Sequence, residues 1–274
     1  MLRDVAEELT FDIPVGAGVG TRANADGEPV TPKDAATVIL LRDGAQGVEV
    51  FLQHRVKGMP FAGGMTVFPG GGVDSRDVDA SVSWAGPEPA WWAERFGCEE
   101  SLARALVCAA VRETFEESGV LLASIGDVVV ADATPYHDAR EKLVSRELSL
   151  AAFLEANGLT LRADLLRPWA NWVTPPQEPR RYDTCFFVAV LPEGQQADSA
   201  TSEAVGSGWQ RPEEAIADAK EGRRMLMPPT WITLAELGAF DSAAAAQAVE
   251  REIKKIMPTL VRDGDKVRVV LDPA

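Results

Sequence analysis

The sequence is poor in histidine and cysteine. Only two histidines and three cysteines occur among its 274 residues. Histidine-rich zinc sites and Ser-His-Asp catalysis both depend on imidazole groups, so neither is well supported. The cysteines are odd in number and show no CxxC spacing, and we interpret Cys98, Cys108 and Cys185 as reduced thiols of a cytoplasmic protein. Any catalysis is therefore expected from carboxylates.

Long hydrophobic runs and an excess of positive charge are also missing. No apolar run approaches the roughly 18 residues of a membrane-spanning helix, and the first residues show no signal-peptide pattern, so we expect no membrane contact. The formal net charge is −15, which disfavours nonspecific binding to nucleic acid. An anionic substrate would need a local group of cationic side chains or a metal ion to offset this charge.

The stretch "AAVRETFEESGVLL", residues 109–122, combines three carboxylates in one predicted helix. Glu113, Glu116 and Glu117 fall within about 100° of the helical circumference, where like charges repel one another. Apolar residues on the opposite arc predict a buried face: Val107, Val111 and Phe115. By itself the cluster could be a solvent-exposed acidic face. A divalent cation would equally resolve the repulsion.

Short strands mixed with helices make up the rest of the predicted structure. Strands are predicted at 36–41, 48–53, 128–132, 169–174, 182–191 and 205–209, and helices at 99–118, 138–156, 211–222, 229–239 and 242–256. This mixture predicts an α+β sandwich rather than alternating βαβ units. Residues 75–98 are predicted to be irregular, and their tryptophans are interpreted as a small local core in preference to a base-stacking platform.

The segment "RETFEESGV", preceded at a distance by "FPGG", resembles the Nudix box, Gx5Ex7REUxEExGU with U aliphatic. The matching positions are Arg112, Glu113, Glu116, Glu117, Gly119 and Val120. Two features depart from the pattern. Gly71 and Arg112 are 41 positions apart where the pattern has 14, which indicates an insertion of about 27 residues, placed at about 74–98 because loops tolerate such growth. The position eight before Arg112, normally Glu, is Arg104.

The resemblance implies a Nudix-type α/β/α sandwich with a mixed β-sheet over residues 35–240. Residues 1–34 are then a loose leader, and residues 241–274 form a C-terminal extension of a helix and a hairpin. The insertion is expected on the surface beside the carboxylate helix. A branch of the family that includes peroxisomal coenzyme A diphosphatases carries an insertion at the same point.

The resemblance also implies hydrolysis of a nucleoside diphosphate linked to another group. The metal ligands carried over are Glu113, Glu116, Glu117 and the backbone carbonyl of Gly71, which suit Mg²⁺ or Mn²⁺. Arg112 would pair with a helix carboxylate and orient it. Glu203 is a candidate general base or additional ligand, and the alternative is an ordinary surface carboxylate.

The substrate is argued from residues 51–71, "FLQHRVKGMPFAGGMTVFPGG". Relatives that cleave coenzyme A show LLTxR(S/A)x3Rx3Gx3FPGG here. Arg55 matches, whereas Pro60 replaces the second arginine. Coenzyme A or acyl-coenzyme A is the leading substrate, with ADP-ribose or NADH as the alternative. Arg55, Arg180 and Arg181 are predicted contacts to substrate phosphates.

A different class of function is a catalytically silent Nudix fold that acts as a ligand sensor. Such a protein would be expected to lose metal-binding glutamates, and all three are present here. The insertion could also mediate a homodimer, which the sequence neither supports nor excludes.

Overall fold

The computed structural model describes residues 11–14, 29–59, 62–79, 81–201, 204–263 and 266–271. Within these ranges the helices are α1 (Pro89–Phe96), α2 (Glu100–Ser118), α3 (His137–Val144), α4 (Leu150–Ala156), α5 (Pro212–Lys220), α6 (Pro228–Leu237) and α7 (Ala243–Gln247). The strands are β1 (Phe11–Pro14), β2 (Lys33–Gly44), β3 (Gly47–Arg55), β4 (Thr66–Val67), β5 (Gly70–Gly72), β6 (Trp84–Ala85), β7 (Ala123–Ile125), β8 (Val128–Val129), β9 (Leu159–Arg162), β10 (Leu166–Val173), β11 (Tyr182–Val190), β12 (Ala204–Gln210), β13 (Lys255–Ile256), β14 (Thr259–Asp263) and β15 (Lys266–Val270). Short 3₁₀ turns lie at Ser75–Val78, Thr134–Tyr136 and Ala163–Leu165.

The central sheet is mixed, as the sequence predicts. Its strand order is β12-β3-β2-β11-β10-β13, with β4 added on β3 and β5 on β2. β2 runs parallel to β11 and antiparallel to β3. β3 pairs with β2 only through Leu41–Gly44, while β5 pairs with β2 through Ala35–Thr37. The first half of β2 therefore has a glycine strand beside it, and this is where the candidate site lies.

Alternating residues of the sheet contribute to two apolar cores, one on each face. Ala36, Val38 and Leu40 of β2 pack on the face covered by α1 and α2. Ile39 and Leu41 point to the opposite face, which α5, α6 and α7 cover. This alternation is what a strand buried on both sides requires. The α/β/α sandwich is confirmed.

The insertion in the Nudix box is not an irregular surface segment, so that prediction is wrong. Its helix α1 buries Trp92 completely and Phe96 almost completely. These two residues are four apart and therefore lie on one face of the helix. The ring of Trp92 packs on Phe187 of β11, with ring centroids 5.6 Å apart. The insertion lies beside α2, as expected, but it contributes to the main core.

Two predicted helices are shorter than expected. The helix predicted at 138–156 is divided into α3 and α4, because Arg146 adopts a left-handed conformation with φ +63° and Ser149 caps α4 through Ala152. The helix predicted at 242–256 ends at Gln247, since Lys255–Ile256 pair as a strand with β10. No described helix is long and apolar enough to cross a membrane.

The two ends of the described chain meet in a separate sheet of order β1-β15-β14. The hairpin predicted near the C-terminal end is formed by β14 and β15. β1 lies within the segment predicted as a loose leader and pairs with β15 from Phe11 to Pro14. The leader therefore includes one strand, and β2 begins at Lys33.

Candidate active site

Helix α2 presents the carboxylates on a rigid support. Its apolar face is fully buried, including Val107, Val111 and Phe115. The helix ends at Gly119, whose φ is +74° and whose N–H donates to the carbonyl of Phe115 at 2.9 Å. Glycine adopts this left-handed conformation without steric cost, so it ends the helix immediately after the carboxylates.

The glycine strand β5 lets the Glu113 carboxylate approach the backbone of the sheet closely. A Cβ atom on Gly71 would lie 2.5 Å from Cδ of Glu113 and 2.7 Å from its Oε2. The Glu113 carboxylate therefore occupies space that any other residue at position 71 would fill. The neighbouring Gly70 donates its N–H to Oε2 of Glu117 at 2.8 Å. Through these contacts the glycines of the "FPGG" stretch fix the positions of the Glu113 and Glu117 carboxylates.

Arg112 is buried and joins the glycine strand, the 3₁₀ turn Ser75–Val78 and the helix through hydrogen bonds and ion pairs. It donates to both carboxylate oxygens of Asp77, at 3.0 and 2.8 Å. It also donates to Oε1 of Glu113 at 2.7 Å, to Oε1 of Glu116 at 3.3 Å and to the carbonyl of Gly72 at 3.0 Å. The prediction that Arg112 pairs with a helix carboxylate is confirmed.

Asp77 was not singled out from the sequence. Counting back from Arg112 puts Arg104 where the box has its first Glu. Counting forward from Gly71 gives Asp77 at the sixth position, so a carboxylate is present and the additional residues follow it. Arg104 instead lies over the ring of Trp84, 5.1 Å from its centroid. The forward count was the signal that could have identified Asp77.

The site carries more negative charge than Arg112 offsets. Burial raises the pKa of Glu113 to about 7, against the stabilising effect of Arg112 and with a further contribution from Glu116. Burial likewise raises the pKa of Glu116, again opposed by Arg112. Desolvation disfavours the charged form of a carboxyl group unless a positive charge compensates it. A bound cation would supply that compensation.

The donor chemistry suits a hard divalent cation. Among the residues that the structure describes, no three carboxylate, imidazole or thiolate groups are already arranged as a metal site. The hydrogen bonds from Arg112 to Glu113 and Glu116 use only the Oε1 atoms. Carboxylate and carbonyl oxygens are the donors that suit Mg²⁺ or Mn²⁺. The ligand set Glu113, Glu116, Glu117 and Gly71 remains a prediction.

A cavity of about 550 Å³ opens beside Glu113 and the three glycines of β5. Its floor includes alternating residues of β2 and β11, on the face opposite to α2, together with Trp172 and Val173 of β10. The charged side chains in its wall are mostly cationic: Lys33, Arg55, Arg146 and Arg180, with Glu113 and Glu178 as the acidic members. In a chain with a net charge of −15, such a local excess of cations favours an anionic ligand.

The predicted substrate contacts separate into two groups. Arg55 and Arg180 line the cavity. Arg181 is buried and donates to the carbonyls of Thr174 and Val30, at 3.0 and 2.7 Å, and to the sulfur of Met257 at 3.6 Å. All three guanidinium nitrogens are thus directed at protein atoms, which corrects the prediction that Arg181 contacts the substrate.

Glu203 and Arg146 are the two remaining residues to be placed. Glu203 lies outside the described residues, although the next residue, Ala204, pairs with Arg55. Arg146 was missed because it lies in the turn between α3 and α4. Arg76 holds this turn by donating to the carbonyl of Arg146 at 3.0 Å, so only the tertiary structure places Arg146 in the cavity wall.

A sequence profile described as the NUDT19 Nudix domain matches residues 98–237, about half of the chain. The chain belongs to the Nudix family. Within the Nudix superfamily it falls in the NUDT19-like branch. The crystal structure of a Nudix hydrolase from Alicyclobacillus acidocaldarius has a TM-score of 0.64 and 28% identity, covering 81% of this chain and 98% of that one.

Two curated Nudix relatives show the extent of the similarity. Nudix hydrolase 7 of Caenorhabditis elegans is 29% identical over 205 residues, which is 75% of this chain and 60% of that protein. Acyl-coenzyme A diphosphatase NUDT19 of Xenopus laevis is 26% identical over 230 residues, which is 70% of this chain and 60% of that protein. The Nudix chain described here therefore matches about 60% of the length of these relatives.

Proposed function

We propose that this Nudix protein is a metal-dependent hydrolase that cleaves the diphosphate linkage of acyl-coenzyme A or coenzyme A. One observation carries the proposal: the Glu113 carboxylate reaches, past Gly71, a cavity whose charged wall is mainly cationic. The carboxylate can bind a metal ion, and the lysine and arginine side chains of the wall can bind phosphate groups. Together they suit an anionic substrate. The name of the Xenopus relative supports coenzyme A chemistry.

The chain's own residues bind and orient the diphosphate. Arg55, Arg146, Arg180 and Lys33 offer charge-assisted contacts to phosphate oxygens from several sides of the cavity. Arg112, fixed by Asp77, holds Glu113 and Glu116 in position. Mg²⁺ or Mn²⁺ held by Glu113, Glu116, Glu117 and the Gly71 carbonyl would neutralise the diphosphate and lower the pKa of water.

Water must lose a proton as it attacks phosphorus, and Glu203 is our candidate for the general base. Its sequence neighbour Ala204 pairs with Arg55, which lines the cavity. A carboxylate is an effective base when it is within hydrogen-bond reach of the attacking water. Glu203→Gln should therefore lower kcat more strongly than it raises KM.

A hydrolysis panel tests the substrate. The purified chain is incubated with Mg²⁺ or Mn²⁺ and with coenzyme A, octanoyl-coenzyme A, ADP-ribose, NADH or a nucleoside triphosphate. We expect adenosine 3′,5′-bisphosphate and an acyl-phosphopantetheine from octanoyl-coenzyme A, and no product after EDTA treatment. Cleavage of ADP-ribose or NADH alone would favour that second substrate class. Binding of a nucleotide without any cleavage would favour the ligand sensor.

Binding of the ion is tested without turnover. Mn²⁺ titrated into the chain should be detected by electron paramagnetic resonance, and the signal of bound ion should be lost in Glu113→Gln. The matched control is Glu100→Gln, an exposed carboxylate in the first turn of the same helix.

The cytoplasm remains our proposed compartment because the three cysteines are free thiols.

A further inference from the structure

The segment after Ile256 forms part of the cavity wall. Ile256 pairs with Trp172 at the edge of the central sheet. The chain then crosses to the cavity face, where Pro258, Leu260 and Val269 line the same cavity as Glu113. Val269 is almost fully buried. The C-terminal hairpin β14–β15 therefore belongs to the site.

Two sets of contacts hold this hairpin in place. Arg181 joins the end of β10, the approach to β2 and the start of the hairpin through its bonds to Thr174, Val30 and Met257. β1 supplies a third strand on β15. An isolated two-stranded hairpin is only marginally stable, whereas three strands with an apolar face are sufficient for a stable wall.

The hairpin differs chemically from the rest of the wall. Among the side chains of this segment that the structure describes, those in the cavity wall are Pro258, Leu260 and Val269, and all three are apolar. They face a floor that includes Trp172 and Phe186. The charged lining residues among the described side chains lie on β2, β3, α2, the α3–α4 turn and the loop before β11. One cavity thus joins a charged region for phosphates to an apolar region.

The geometry points to the C-terminal hairpin as a specificity element that contacts the apolar groups of the substrate's pantetheine–acyl arm. In coenzyme A esters, the pantetheine and acyl chain leave the diphosphate on the side away from the nucleoside. We assign this arm to the wall at Leu260, which is partly exposed and pairs with the buried Val269. The assignment rests on the proposed function, because the diphosphate must lie at Glu113.

Neighbouring residues of β14 provide a matched pair of variants. Leu260 lines the cavity, whereas Val261 points away and is 45% exposed. Leu260→Asp places a charge against the apolar groups of this arm, and Val261→Asp places the same charge in solvent. Leu260→Ala is a milder change for use if the first variant fails to fold, and thermal unfolding checks all three.

The assay measures kcat and KM for coenzyme A and its acetyl, octanoyl and dodecanoyl esters. For Leu260→Asp we expect KM to rise with chain length, by about tenfold for the dodecanoyl ester, as when about two methylene groups lose an apolar contact. The Ki of adenosine 3′,5′-bisphosphate, which carries only the nucleoside half, should stay within about twofold. Val261→Asp should match the wild type.

Three results would overturn the assignment. KM could rise equally for all esters, Ki for the nucleotide could rise in parallel, or Leu260→Asp and Leu260→Ala could both match the wild type. A parallel rise in Ki would place the nucleoside against the hairpin. A wild-type chain that cleaves no coenzyme A compound would instead refute the proposed function, and the two failures are therefore distinguishable.

Discussion

The insertion and the C-terminal hairpin both add to the Nudix fold, but their apolar side chains pack in different places. The insertion directs Trp92 and Phe96 into the main core, against β11. The hairpin places Leu260, which stays partly exposed, in the cavity wall. Apolar surface that contacts the core stabilises the fold whether or not ligand is present, whereas apolar surface in a cavity is covered only by a ligand. Variants of the two regions should therefore fail in different assays.

The largest expected effect is a loss of stability in the insertion. Trp92→Ala should lower the free energy of unfolding by about 3–5 kcal/mol because it leaves a cavity in the core. Urea denaturation measures this change. Trp91→Ala is the matched control, since its ring is only partly buried and lies under Arg95, 3.5 Å from the guanidinium carbon. Equal losses in both variants would contradict the comparison.

The second prediction separates chemistry from stability on the helix that the insertion supports. Glu116→Gln keeps the size of the side chain but removes a charge expected to bind the cation. We expect activity to fall by at least about a hundredfold, while thermal stability holds or rises slightly because repulsion from Glu113 is relieved. Wild-type activity in this variant would count against a metal site on α2.

The sequence alone was sufficient where the determinants are local. The apolar and acidic arcs of α2 repeat with the helical period, and "FPGG" and Gly119 mark its surroundings, so the helix and its carboxylates were predicted correctly. The mixed sandwich followed from the resemblance. These features depend on residues close together in sequence, and the insertion does not disturb them.

Features that depend on tertiary contacts could not be predicted in the same way. Asp77 is separated from Arg112 by the whole insertion, so the usual spacing misplaced it. The short helix α1 lies between prolines and a glycine and resembles a loop in sequence, although Trp92 is fully buried. Arg181 was predicted to contact substrate phosphates, yet its partners lie at residues 30, 174 and 257. The order of residues along the chain does not indicate any of these contacts.

The third prediction concerns the charged part of the cavity, which belongs to neither addition. Arg55→Ala should raise KM chiefly for coenzyme A substrates, because the 3′-phosphate is an anion that ADP-ribose lacks. A lost charge-assisted contact is worth roughly 1.5–3 kcal/mol, or about ten- to a hundredfold in KM, with kcat within a few fold. Steady-state kinetics on both substrates measure this. Arg42→Ala, whose guanidinium pairs with Glu49 away from the cavity, is the control.

Equal losses on coenzyme A and ADP-ribose would make Arg55 a general diphosphate contact. Selectivity for coenzyme A esters would then be attributed to the hairpin, and the dependence of KM on ester length in Leu260→Asp would measure it.

The smallest expected effect is the thiol reactivity of the native protein. Burial raises the pKa of Cys98, at the end of the insertion, and of Cys185 beneath it, and it raises the pKa of Cys108 to about 12. Because the thiolate is the nucleophile, a raised pKa leaves little reactive thiolate at pH 8. We expect all three to react slowly with a disulfide reagent until urea unfolds the chain. Val261→Cys, on the exposed side of the hairpin, should add one fast thiol. A wild-type Cys98 that reacts as fast as this added thiol would show that the insertion opens readily, and its tryptophan would then belong to a loose surface segment rather than to the core.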